Sequence, residues 1–453
     1  MLTEFHIGID DTDSRLGGCT TYTAALLFQE LVSKGLKPID FPWLVRLNPN
    51  IPWKTRGNGA LSIHFILEEE QIQEVKQIDD AVIERATDLS QRSTDPAVVF
   101  LKGPVPSQLN EFSNRALHDV LSVREARHVS DAVGVETHLL KGSRGLVGAL
   151  AAIGADLSRD HTFEIIAYRT PENIGTTRRV NLDSVRRMDA MFHGLTFNSV
   201  DPDTGRVLIC PHGPDPALLG LRGEDPAILA EAFSQIAIDE PIERAMIFKT
   251  NQGTDAHLSC RRRIEALQPY QSTMIVGVVS NAPRVIRGGH AIFKIGDATG
   301  SIDCAAYSAT GSIREAAVHL IPGDSVVVSG GVRVRRFREL TLNIEKLEVT
   351  GIADAIRWEN PLCSDCGARC ESMGKDQGFR CRKCNLHFQK ATKSPKSEPR
   401  AITCGIYLPP PRAHRHLTKP ASRYGFRTPK PSNASGAVVD PTLGSLVSVP
   451  VVS

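Results

Sequence analysis

Phe5-His-Ile-Gly-Ile-Asp-Asp-Thr-Asp13, followed by Gly17-Gly-Cys-Thr-Thr-Tyr22, is the stretch from which the organisation of this chain is read. Apolar side chains alternate at Phe5, Ile7 and Ile9, the period of a half-buried strand, and the alternation ends at three carboxylates and a run of hydroxyls. A strand therefore runs into Asp10, and a helix over 22–33 follows, closed near Gly35. Asp10, Asp11 and Asp13 offer hard oxygen ligands of the kind Mg2+ takes when it also bridges nucleotide phosphates. Gly17 and Gly18 let backbone approach an anion, and Thr20 or Thr21 stands at the start of a helix whose free amides attract phosphate. A capping acid that favours the helix dipole is the plainer reading of any one carboxylate. Three of them beside a Gly-Gly turn point instead to a metal-phosphate site.

Beyond this stretch, 39–47 and 60–67 read as strands enclosing the loop Asn48-Pro-Asn-Ile-Pro-Trp-Lys-Thr-Arg-Gly-Asn-Gly59. Lys54 and Arg56 lie two apart on that stiff loop, placed either to face phosphate together or to be solvated. A second unit begins near Ser130, where Arg144-Gly-Leu-Val-Gly-Ala-Leu-Ala-Ala-Ile-Gly154 predicts a tightly packed small-residue helix and 163–169 a strand. Leu208-Ile-Cys-Pro-His-Gly-Pro-Asp-Pro216 and Gly220-Leu-Arg-Gly-Glu-Asp-Pro226 read as rigid turns carrying His212, Asp215, Arg222 and Glu224.

From 272 to 351 the pattern is all-β, with strands at 274–279, 291–295, 301–307, 325–328 and 340–345 and a helix over 312–320. Five short strands with a helix between the third and fourth match an OB-fold barrel. Phe293, Tyr307 and Phe337, with Arg333, Arg335, Arg336 and Arg338, are candidates for the aromatic platform and basic groove by which such barrels hold single strands. Cys363-Ser-Asp-Cys366 and Cys381-Arg-Lys-Cys384, fourteen residues apart, form a four-thiolate ribbon for tetrahedral zinc. A filled thiolate set makes the site structural, with Cys370 and His387 as competing ligands. Half of the ten cysteines lie in this segment, which reads as metal in a reducing compartment and not as disulfides.

The 453 residues are enough for about three domains, and 41% of them are hydrophobic. No apolar run approaches the roughly 18 residues of a membrane helix, and the start lacks a signal peptide's basic and apolar regions, so a cytoplasmic protein with no membrane partner is expected. From Ala391 onward nine Lys or Arg face two acids, leaving 44 basic and 49 acidic residues elsewhere. That asymmetry suggests a catalytic body with a polyanion-binding end. The tail Leu408-Pro-Pro-Pro-Arg-Ala-His-Arg-His-Leu-Thr-Lys-Pro420 reads as disordered until it meets RNA, and the chain after Pro431 as disordered throughout.

Five collinear motifs carry a resemblance: Ile7-Gly-Ile-Asp-Asp-Thr-Asp-Ser14 with Gly18-Cys-Thr-Thr-Tyr22, Ile51-Pro-Trp-Lys-Thr-Arg-Gly-Asn58, Pro211-His-Gly-Pro-Asp-Pro216, Gly220-Leu-Arg-Gly-Glu224 and Ala413-His-Arg-His-Leu-Thr-Lys-Pro420. Together they resemble the archaeal tRNA-Ile 2-agmatinylcytidine synthetases, the TiaS family. The resemblance implies a multidomain α+β chain: a kinase-like α/β domain over 1–129, a ferredoxin-like agmatine-pocket domain over 130–268, a tRNA-binding OB-fold over 272–351, a zinc ribbon over 360–390 and a basic tRNA-binding segment with a disordered tail over 391–453. It implies ATP-dependent ligation of agmatine to C2 of the wobble cytidine of a CAU-anticodon tRNA-Ile through phosphorylation of the C2 oxygen, with ATP consumed to AMP and AUA decoded as isoleucine. In that scheme Asp10, Asp11 and Asp13 hold Mg2+ and, with Gly18, Thr20 and Thr21, the ATP phosphates. Lys54 and Arg56 neutralise charge, and Thr20 is an autophosphorylation site. Asp215 and Glu224 are candidates for the agmatine guanidinium, and Arg333, Arg335, Arg336, Arg338, Arg415, His416 and Lys419 for RNA. A non-catalytic RNA-binding protein would need the barrel and ribbon but not the Asp cluster, and a small-molecule kinase would not need the barrel and ribbon.

Overall fold

A computed structural model describes residues 2–14, 16–335 and 339–425, and the backbone of 436–439 and 446–449. One large sheet takes Leu2–Asp10 (β1), Lys37–Pro38 (β2), Trp43–Arg46 (β3), Gly59–Glu68 (β4), Ala97–Lys102 (β5) and Glu136–Leu139 (β6) from the first part of the chain. Thr162–Arg169 (β7), Thr196–Phe197 (β8), Ala217–Gly223 (β9) and Ile242–Thr250 (β10) extend it, in the order β6-β5-β1-β4-β3-β10-β7-β9-β8. Central β1 is antiparallel to both β4 and β5, and a short parallel pairing of Lys249 with Trp43 and Thr250 with Leu44 welds the two halves.

Both faces of the first half are covered. Phe5, Ile7 and Ile9 point to one side, into a core shared with Thr20–Ser33 (α1) and Ile72–Ala86 (α2). The intervening His6, Gly8 and Asp10 therefore point to the other, where Ser107–His118 (α3), Val123–Val133 (α4) and Gly145–Ile153 (α5) pack. A Cβ on Gly8 would come within 2.3 Å of the Ala149 carbonyl, so the small-residue helix predicted at 144–154 lies directly on β1. Residue 130, expected to open a second unit, falls inside α4, whose capping box runs between Ser122 and Glu125. In the second half, Leu182–Met191 (α6) and Pro226–Ser234 (α7) cover β7 and β9. The segment 220–226, expected as a turn, is instead the end of β9 and the start of α7, because Leu219 and Leu221 alternate into the core while Gly220 and Arg222 face the other way.

The barrel comprises Ser272–Val285 (β11), Ala291–Gly296 (β12), Ser301–Ala306 (β13), Ser325–Val334 (β14) and Leu340–Gly351 (β15), closed by parallel pairing of β13 with β15 and plugged by Ser312–Val318 (α8). Phe293 is buried in its core and is no platform; Tyr307 is exposed. Phe337, Arg336 and Arg338 lie outside the described residues. Ala355–Glu359 and Ser394–Glu398 pair as a stalk for the ribbon, and Gly405–Tyr407 returns to β15.

The expectation of a basic tail disordered until it meets RNA does not hold. Residues 408–425 are strapped across the sheet and barrel by ion pairs. Arg412 binds Asp201 at 2.9 Å and Asp203 at 2.7 Å, Lys419 binds Asp160 at 2.9 Å, and buried Arg423 grips Glu224 and Asp160. Local composition reads as a loose basic tail because all of these acids lie far away in sequence. Of the chain after Pro431, expected to be disordered, only the backbone of Gly436–Val439 and Leu446–Val449 is described: the two pair with one another and Val439 pairs with Ala245 of β10, while the rest lies outside the described residues.

Candidate active site

Asp10 ends β1 on the face of α5, and the chain leaves it through Asp11 in a left-handed conformation (φ 61°). The Asp10 carboxylate accepts the Asp11 N–H at 2.7 Å and rests on the helix at Gly148, where a Cβ would stand 1.9 Å from Oδ2. Beside it opens a cavity of about 600 Å³ lined by Asp10, Asp11, Asp13, Thr20, Thr21, Lys54, Arg56, Asp215 and His416, together with residues the sequence reading had not singled out for chemistry: Arg46, Arg144 and Glu164. Gly18 (φ 76°) lies behind this wall, on a smaller pocket of about 280 Å³ with Thr12, Ser14 and Thr87.

The acids are crowded and desolvated. Burial, then the charge of Asp11, raises the Asp10 pKa well above the carboxylate range. Burial pushes Asp11 up to about 7 even though Arg144 binds it at 2.6 Å. Asp13 is also raised by burial, with Arg56 at 3.8 Å opposing the shift. Outside the ribbon, no three acidic, His or Cys ligand atoms among the described residues gather within 4.8 Å. Mg2+ usually takes one or two carboxylates and completes its octahedron with water and phosphate oxygens. Asp10 and Asp13 fit that demand, while Asp11 is committed to Arg144.

Thr20 and Thr21 open α1, whose N-cap, Cys19, makes no side-chain capping bond, so the first-turn amides are not capped by that side chain. The Cys19 Sγ lies 2.9 Å from the Thr21 hydroxyl. Arg56 is less free than expected: its Nη2 donates to the carbonyls of Ser14 at 3.1 Å and Gly18 at 2.9 Å, bracing the acidic loop. Lys54 stays uncommitted, its pKa lowered by burial and then by Arg415 and Arg333.

Asp215 is buried at the cavity wall, 3.6 Å from Arg56 and 3.4 Å from Arg178. Glu224 is not on the wall. It follows the end of β9 and is held by Arg423, off the cavity lining where an agmatine ligand was expected. Glu164, on β7, takes a place at the wall that no local motif signals: Arg222 binds it at 2.9 Å and Gln252 donates to its other oxygen.

A second, more open chamber of about 520 Å³ adjoins the first, lined by Lys54, Arg333, Arg412, Arg415 and His416. Arg333 and Arg415 both donate to the Asn50 side chain, at 2.9 and 3.0 Å, and Arg415 also lies 3.5 Å from Glu345. His416 faces both chambers, 3.0 Å from Arg222 Nη2, and burial drives its pKa well below the usual value. Arg415, His416 and Lys419, expected to wait for RNA on a free tail, are therefore bound into the fold. Arg335 follows β14 directly, its N–H bonded to the Glu339 carbonyl.

In the ribbon, the sulfurs of Cys363, Cys366, Cys381 and Cys384 lie within 4.8 Å of one another, a closed set suited to structural Zn2+. Backbone N–H groups of Cys384 and Lys383 pull the Cys381 thiol down to about 7. Cys370 is buried nearby and His387 sits on a short strand; neither joins the set.

Family models match along the chain: the TiaS TCKD domain over residues 6–142, the TiaS FLD domain over 143–257, an OB-fold nucleic acid binding domain over 274–350 and the TiaS C-terminal zinc ribbon domain over 360–402. The isoleucine-tRNA 2-agmatinylcytidine synthetase TiaS of Thermococcus sibiricus is 40% identical over 420 residues, covering 92% of this chain and 96% of that protein. A crystal structure of TiaS in complex with its isoleucine tRNA and ATP superposes with a TM-score of 0.83 at 38% identity, covering 95% of this chain and 99% of that one. Another, of TiaS with its isoleucine tRNA, AMPCPP and agmatine, does so with 0.80 at 36%, covering 94% and 98%.

Proposed function

The chain belongs to the TiaS family, and from that membership we propose that it is a tRNA-Ile 2-agmatinylcytidine synthetase, joining agmatine to C2 of the wobble cytidine of the CAU anticodon at the expense of ATP. The observation that carries this reading is one cavity walled by the acidic loop at Asp10–Asp13, the basic loop at Lys54 and Arg56, β7 and β9 of the second half-sheet, and His416 of the strap, opening into a basic chamber beside the barrel.

The C2 oxygen of cytosine is a poor leaving group. Transfer of a phosphoryl group from ATP, which leaves as ADP, makes that oxygen part of a phosphate leaving group; the agmatine amine then attacks C2, gives up a proton, and the C2–O bond breaks with release of phosphate. Asp10 and Asp13 are the proposed Mg2+ ligands; an ion held there would supply positive charge for the phosphate oxygens. The uncapped amides at Thr20 and Thr21 receive phosphate oxygens. Arg56 and Arg144 hold the acidic loop in shape, Arg56 from the loop carbonyls and Arg144 from Asp11. Asp215 is the proposed partner of the agmatine guanidinium, and Thr20 the proposed site of autophosphorylation. Domain roles follow the chain: the part up to residue 142 handles ATP, 143–268 complete the agmatine pocket, and the barrel (272–351), ribbon (360–390) and basic C-terminal segment (from 391) hold tRNA. Among the described residues no helix is long and apolar enough to cross a membrane, and a cytoplasmic site of action is part of the proposal.

The test is mass spectrometry of the anticodon fragment of a CAU-bearing tRNA-Ile transcript after incubation with enzyme, ATP, Mg2+ and agmatine. A gain equal to agmatine less water, dependent on ATP and agmatine, is expected. An unchanged cytidine despite ATP consumption would reopen the substrate assignment. Asp215→Asn is expected to raise KM for agmatine with little change in KM for ATP.

A further inference from the structure

Four arginines line the catalytic cavity, and three are already engaged. Arg56 serves the loop carbonyls with Asp13 and Asp215, Arg144 serves Asp11 and the Ser93 carbonyl, and Arg222 serves Glu164 and His416. Arg46 differs. Its guanidinium makes no hydrogen bond and no ion pair with any described residue, and its Nε is buried without a partner. Glu164 lies close enough for its charge to be felt, but both Glu164 oxygens are already taken, by Arg222 and Gln252.

The fold holds this cation in place. Asn251 pins the Arg46 backbone from both sides, accepting its N–H at 2.8 Å and donating to its carbonyl at 2.9 Å. Gly57 leaves the room the guanidinium occupies, since a Cβ there would stand 2.7 Å from Nη1. Arg46 lines both chambers, and so stands where they meet. A buried guanidinium Nε–H with no partner is costly unless a ligand completes it, and the planar fork of donors that Arg46 turns toward the chambers matches phosphate oxygens.

We propose that Arg46, a residue without an assigned role, grips the phosphoryl group as it passes from ATP to the cytosine C2 oxygen at the junction of the two chambers. The assignment rests on the phosphorylation chemistry proposed above. It gives Arg46 the charge-neutralising role that the sequence suggested for Arg56.

The test uses the full-length enzyme with Arg46→Gln and Arg46→Lys. Arg46→Gln is expected to lower kcat for product formation by about 10²- to 10³-fold, the usual loss for one preorganised donor at developing charge, while the tRNA Kd stays within about twofold. Millimolar guanidinium chloride is expected to restore part of the lost rate to Arg46→Gln and none to wild type, a response that a purely structural role would not give. A kcat within about threefold of wild type, or a loss confined to tRNA Kd that would mark Arg46 as a contact to the RNA backbone, overturns the proposal. If Arg46→Gln does not fold, Arg46→Lys decides: it keeps the charge but not the fork, and wild-type kcat in that variant refutes a bidentate grip. Failure of the wild-type enzyme to make product would overturn the synthetase reading itself, an outcome distinct from either variant's.

Discussion

Gly148→Ala places one methyl group where the structure leaves no room for it, and it separates stability from catalysis. The new Cβ would stand 1.9 Å from Asp10 Oδ2, about 1.5 Å short of the 3.4 Å at which ordinary contact begins. Helix α5 has little room to retreat, because α3 backs it: a Cβ on Gly154 would stand 2.1 Å from the Leu109 carbonyl. The Asp10 carboxylate must therefore swing away and give up its 2.7 Å bond from the Asp11 N–H. Overpacking of this kind costs about 1–3 kcal/mol, and replacing a mid-helix glycine by alanine returns about 1 kcal/mol. The net loss is about 0–2 kcal/mol, which lowers Tm by no more than about 8 °C. Displacing a reactive group by about 1 Å costs about 10²-fold in rate, so synthesis of 2-agmatinylcytidine should fall at least that far while tRNA binding is kept. The assay is single-turnover product formation beside thermal unfolding and a tRNA binding titration. Wild-type kcat in a folded Gly148→Ala enzyme would refute the placement of Asp10 against α5 and its role at the site.

Arg423→Ala should destabilise the protein by about 3–5 kcal/mol, because it leaves Glu224 buried without its partner; Tm and protease sensitivity within 408–425 measure this, and an unchanged Tm would show that the strap is not held there. Removing zinc by a chelator, or replacing Cys381 by Ser, should unfold 360–390 and leave the barrel intact, since the ribbon's own core is little more than its cysteines and Phe379; metal content and proteolysis of that segment are the readout, and a ribbon that resists protease without zinc would contradict it. The backbone N–H of Ser122 and then Arg115 lower the Glu125 pKa to about 2, so its contribution is present above the unfolded value of about 4.3 and is lost as pH falls towards 2. The side chain is partly exposed, so the difference in stability between wild type and Glu125→Gln should be a few tenths to about 1 kcal/mol at pH 7 and vanish near pH 2; a difference that grows on acidification would refute the cap.

Local pattern made much of this molecule legible. The alternation at Phe5, Ile7 and Ile9 located β1, and the same period of two dictates that Asp10 falls on the α5 face with Gly8. The four thiolates were readable because two short knuckles bring their ligands together with little help from the rest of the chain. What escaped was long-range. Arg46 ends a strand and looks like any surface arginine until the loop carrying Gly57 and the side chain of Asn251 enclose it. Glu224 sat in a polar Gly- and Pro-containing stretch suited to ligand binding, yet its partner is Arg423, about two hundred residues later. The strap read as disordered because its apolar content is low; its order comes from Asp201, Asp160 and Asn50, which no local window contains.

That strap changes how catalysis depends on the rest of the chain. His416 fills part of the wall between the two chambers, and it is carried by residues held at Asp201 and Asp203 on one side and at Asp160 and Glu224 on the other. The cavity is thus not complete within the large sheet: its acids come from β1, its free cations from Arg46 and the loop at Lys54, and its closing wall from a segment that follows the barrel and the ribbon. A chain ending before residue 408 would keep Asp10, Asp13 and Lys54 but lose His416 and the cation at Arg415, merging the inner cavity with solvent. Electrostatic interactions with a bound phosphate weaken steeply when water enters. Placing the closing wall after the barrel and the ribbon therefore ties the dryness of this cavity to the modules proposed to hold the tRNA.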